Sequence, residues 1–161
     1  MVWETLQPAV AWLGESALGG WLGQSPARVA GLFVVHLIGI TMLLGGTVVI
    51  SLRLLGAGFR SGPPAQLARE VAPWRTAGLA LALLSGSLIF TGGAVSYFEG
   101  GWFRRKMALL VIALVFNVTW FRTVTRAPEG RFSPWQTRVT AAVALLLWFG
   151  VGVAGRAIAF F

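Results

Sequence analysis

The chain reads as an all-α polytopic membrane protein: four transmembrane helices in a bundle, preceded by an N-terminal amphipathic helix lying at the interface. Three observations carry this. No formally charged side chain stands between Arg28 and Arg53, or between Arg75 and Glu99. Both stretches exceed the roughly 20 residues that cross about 30 Å of hydrocarbon. The 161 residues are 57% hydrophobic, with a mean hydropathy of +0.77, too apolar for an ordinary soluble domain. Finally, the 13 basic residues gather mostly at the ends of apolar runs, where lipid headgroups lie. In a soluble protein a formal charge of +8 would suggest nucleic acid. Here no broad solvated basic face is left, so no nucleic-acid partner is expected.

Residues 1–24 form the interfacial element. Trp3, Leu6, Val10, Leu13 and Ala17 recur at helical spacing, with Glu4 and Glu15 on a common polar side. The start, Met1-Val2-Trp3-Glu4, has no basic n-region, so the first span is expected to act as its own insertion signal. Gly19-Gly20 and Gly23 close the element, and Ser25-Pro26 reads as N-cap and first residue of a helix. The first span covers 26–55, with Gly31, Gly39, Gly45 and Gly46 permitting close backbone contact. A loop from Gly56 to about Ala72 carries Arg60, Gly62-Pro63-Pro64, Arg69 and Glu70. Pro73-Trp74-Arg75 opens the second span, 73–98, in which Ala82, Gly86, Gly92 and Gly93 line a packing face. Ser85, Ser87 and Thr91 in that span are expected to bond back to their own helix.

The third span, 104–125, is short. Fifteen uncharged residues separate Lys106 from Arg122, about 22 Å of helix. Either both ends snorkel outward or one cation sits at membrane depth. The fourth span, 135–160, carries Gly150, Gly152, Ala154 and Gly155 for close contact. Eight basic residues fall beside the two odd-numbered loops and five on the other side, which favours cytoplasmic loops and termini outside. The tight run Arg104-Arg105-Lys106 argues for the inverse.

The absence of cysteine excludes disulfides, CxxC chemistry, thiolate metal sites and covalent haem attachment. His36, the only histidine, lies inside the first span, where an ionisable residue is a functional hypothesis by default. A neutral imidazole there suits a metal ion, haem iron or proton relay; it equally suits a hydrogen bond to a neighbouring helix. Thr91 shares its depth, and Met107 offers a thioether nearer the same surface. One nitrogen, one thioether and the Glu99 carboxylate fall short of a closed metal cage. A haem needs only one or two axial ligands, and His36 opposite Met107 or a second His36 would supply them. Lys106 is the candidate for an anionic group such as a propionate, against ordinary snorkelling. Asn117, deep in the third span, can hydrogen-bond between helices. Trp3, Trp21, Trp74, Trp102 and Trp135 read as interfacial anchors. No enzyme is expected: the five glutamates lie outside the spans, aspartate is absent, and no catalytic motif is present.

His36-Leu37-Ile38-Gly39, Ser51-Leu52-Arg53-Leu54-Leu55-Gly56, Pro73-Trp74, Ser85-Gly86, Phe103-Arg104-Arg105-Lys106 and Asn117 before Phe121 follow one another in an order that looks familiar. It resembles an uncharacterised family of small four-helix bacterial inner-membrane proteins, distantly similar to the CopD-type copper-resistance membrane domain. The resemblance implies a bundle in a bacterial inner membrane, with His36 and Lys106 matching the family's polar positions. Relatives tend to carry a histidine just after the phenylalanine ending the third span, where this chain reads Phe121-Arg122. The expected role is binding or passing copper or a b-type haem around His36, with Met107, Lys106 and Thr91 as further contacts. The alternative is a structural or accessory subunit, packed by glycine-lined helices in a homo-oligomer or larger membrane complex.

Overall fold

The computed structural model describes residues 2–57, 62–158 and 160; Arg60 of the first loop lies outside them. Those residues form helices with no strand among them: α1 (Val2–Glu15), α2 (Ala17–Gly23), α3 (Pro26–Leu55), α4 (Pro64–Thr91), α5 (Ala94–Glu99), α6 (Gly101–Phe116), α7 (Arg122–Arg126) and α8 (Pro134–Ala157). A π-helical segment, Asn117–Phe121, joins α6 to α7. Four helices are long and apolar enough to cross a membrane: α3, α4, the continuous run Gly101–Arg126, and α8, with 30, 28, 26 and 24 residues.

The expected single interfacial helix is two. Ser16 leaves helical geometry between α1 and α2, and its Oγ accepts from the Gly19 N–H at 3.1 Å, capping α2. The same hydroxyl donates to the Leu13 carbonyl at 2.6 Å. Glycine is required at position 19, since a methyl there would run into the Gly14 carbonyl.

α4 begins at Pro64, not at Pro73, so most of the expected first loop is helical. Pro64 suits a first turn, whereas Pro73 lies inside and removes one backbone bond. The extra turns bury Ala68 and set Val71 against Ile50, Leu54 and Phe121, which offsets that loss. The expected second span also ends early. The chain turns at Gly92-Gly93, and α5 packs beside α1, with the Trp3 and Phe98 rings 5.2 Å apart. The third crossing starts at Gly101, before the expected 104. The fourth starts at Pro134, behind a capping box of Ser133 and Gln136, and ends at Ala157, short of 160.

Glycines bring α3 and α4 together. A Cβ on Gly39 would lie 2.6 Å from the Ala82 nitrogen, and one on Gly78 would lie 2.7 Å from the Gly39 carbonyl oxygen. Backbones therefore touch, the small-residue packing available where lipid supplies no hydrophobic drive between helices. The mid-bundle core is Leu43, Ala113 and Trp148. A second core, Ile50, Leu54, Ala68, Phe121, Ala141 and Ala144, lies toward the loop end.

Candidate functional site

Two polar clusters flank the mid-bundle core. The first lies toward the end of the bundle where α3 begins. His36 projects from α3 onto α4, its Nδ1 3.1 Å from the Ser85 Oγ. Ser85 spends its proton on the Leu81 carbonyl at 2.6 Å, so it accepts from the ring and Nδ1 donates. The Ala82 carbonyl faces the same ring. That tautomer leaves the lone pair on Nε2. The ring lies against bare backbone, since a Cβ on Gly86 would come within 2.9 Å of its Cε1. Lys106 reaches in from α6. Its stem runs along Gly155 of α8, with Nζ 3.5 Å from where a Cβ would stand, and its charge is within electrostatic reach of His36. The ammonium is thus half-buried between helices, the inward of the two placements open to it.

The other expected contacts, Thr91 and Met107, have surroundings of their own. Thr91 is 6% exposed, and its hydroxyl donates to the Ser87 carbonyl at 2.9 Å. Met107 is 36% exposed on the surface of α6. Among the described residues, no three His, Cys, Asp or Glu side chains come together as metal ligands.

The second cluster was not read from the sequence as a site. Arg75, expected at a helix start, lies well inside α4. Its stem crosses α3 at Gly46, where a Cβ would clash with it. The Nε donates to Thr47 Oγ1 at 3.2 Å and Nη2 to Asn117 Oδ1 at 3.0 Å. The guanidinium carbon stands 4.9 Å from the centre of the Phe121 ring. Thr47 and Phe121 are almost fully buried, and the Thr47 hydroxyl also donates to the Leu43 carbonyl. Arg75 therefore ties three spans together using neutral partners only. Asn117 and Phe121 are the first and last residues of the π segment, an irregularity often found at functional positions.

One signal in the sequence could have revealed both layers. Thr47 follows His36 by 11 residues, Ser85 follows Arg75 by 10, and Asn117 follows Lys106 by 11. Three helical turns take 10.8 residues, so each of these three spans carries a polar group in both layers, about 15–16 Å apart along its axis.

The chain belongs to a family of unknown function, DUF6644, whose sequence model matches residues 9–161. No curated protein and no solved structure matches it. The expected similarity to the copper-resistance domain has no support in these comparisons.

Proposed function

We propose that this member of the family is a non-catalytic protein of a bacterial inner membrane, with both termini on the periplasmic side, that binds a ligand at its His36–Lys106 layer. The observation supporting this is the orientation of one imidazole. Ser85 holds Nδ1, which leaves Nε2 as the coordinating nitrogen, the arrangement by which outer hydrogen bonds orient histidine ligands. The donor set distinguishes between the two groups considered. Copper alone fits poorly, because a lone nitrogen within reach of an ammonium's charge is neither a cage nor a cation-attracting environment. A b-type haem asks for fewer protein ligands: His36 would hold its iron and Lys106 would pair with a propionate. Bound there, the haem would supply electron transfer or be held as cargo. The chain's contribution is to orient the ring and set a cation within electrostatic reach of it.

The test is an absorption spectrum of the detergent-purified protein after incubation with hemin, together with metal analysis. A Soret band with stoichiometric iron is expected, lost in His36→Ala and weakened in Lys106→Met. A colourless protein that stays folded in both variants would overturn the ligand reading. It would leave the second reading, an accessory subunit, for which the exposed glycines Gly31 and Gly45 of α3, with nothing within 4 Å of a Cβ, leave room for a neighbouring helix.

A further inference from the structure

A cleft of about 660 Å³ opens on the outer face of the bundle between α6 and α8. Trp102, Arg105 and Ala108 on one side face Phe149, Gly150 and Val153 on the other. Phe149 and Val153 are 52% and 67% exposed, so the walls face the membrane. Ala108 and Gly150 create the concavity. A Cβ at Gly150 would meet only the Leu109 Cδ1, at 3.8 Å. The one charged lining residue is Arg105, whose guanidinium stands over the Trp102 ring at 4.5 Å, at the end nearest the start of α6.

We infer that this cleft holds one acyl chain of an anionic phospholipid, with the headgroup phosphate on Arg105. Its length selects that occupant. The lining runs from Trp102 to Leu109 on α6 and from Leu146 to Ala154 on α8. Those stretches span about 10 and 12 Å at 1.5 Å per residue. One leaflet of hydrocarbon is about 15 Å deep, half the core thickness. An apolar groove that starts at a cation and ends near the midplane matches one lipid chain. A packed transmembrane partner would need a seam along the whole crossing. Arg104, exposed and next to Arg105 in sequence, adds positive potential that favours a net negative headgroup.

Native mass spectrometry of the delipidated protein tests this, using an equal mixture of phosphatidylglycerol and phosphatidylethanolamine. One phosphatidylglycerol per chain is expected to survive detergent ejection in preference to phosphatidylethanolamine. Arg105→Gln should lower that preference about fivefold, the equivalent of one cation near the surface. Gly150→Leu should remove lipid of either headgroup by filling the floor. Gly152→Leu is the control, because a Cβ at Gly152 meets nothing within 4 Å. Equal retention of both headgroups by the unaltered chain would overturn the inference. So would an Arg105→Gln variant with unchanged preference, a surface substitution that leaves the packing intact. None of these substitutions touches His36, so the haem reading and this one fail separately.

Discussion

The His36 layer and the Arg75 layer present the same physical problem in two forms. Each places a nitrogen-rich side chain inside a lipid-spanning bundle, and each uses a glycine on the facing helix to admit it, Gly86 for the ring and Gly46 for the arginine stem. An imidazole can be neutral, so the Ser85 hydroxyl suffices for its Nδ1. A guanidinium keeps its charge, so its donors must find acceptors wherever they point. Arg75 takes one from α3 and one from the π segment and rests on an aromatic ring. The difference teaches that Arg75, its donors spent between helices, fastens the bundle, while His36 needs a single partner to sit within it.

Substitutions can break that distinction. Arg75→Ala should have the largest effect, destabilising by about 3 kcal/mol. It loses two charge-assisted hydrogen bonds and the packing of the stem over Gly46. Denaturant titration in detergent would measure it, and a cost no larger than that of His36→Ala would erase the contrast. Gly46→Val should follow at about 2 kcal/mol, since the new side chain displaces the stem of Arg75 and Val71 from their cradle. Asn117→Leu removes a single interhelical acceptor and should cost about 1 kcal/mol. His36→Ala should cost less than that, while abolishing the Soret band proposed above. At the foot of the series is Ser51, whose hydroxyl is fully buried without a partner one turn past Thr47. Ser51→Ala should be neutral or stabilising by up to about 1 kcal/mol. A marked loss there would show that the loop-side layer extends to Ser51.

The fold was largely legible, and particular residues show where legibility stopped. Ser25-Pro26 marked the start of α3 because a cap and a first-turn proline act locally. Pro73 misled because its local penalty was outweighed by distant contacts of Ala68 and Val71 with Ile50, Leu54 and Phe121. Gly92-Gly93 was read as part of a packing face, yet it ends α4, where a Cβ on Gly92 would meet Leu22 of α2 at 3.2 Å. Within the candidate site, His36 was visible as a polar residue in an apolar run and Lys106 as the cation at the head of a short one. Ser85 was visible only as a hydroxyl, and Arg75 passed for an ordinary boundary cation.

What the amino-acid order determined alone was the number of crossings and the identity of the lone imidazole. Transfer of a segment from water to hydrocarbon depends on its own side chains and length, which can be summed along the chain. Only tertiary structure decided that Arg75 grips Asn117 across the bundle and that Ser85 holds His36. Those pairings depend on the rotation and register of one helix against another. Both follow from where bare glycine backbones let the helices touch, a property of the assembled bundle and not of any single stretch.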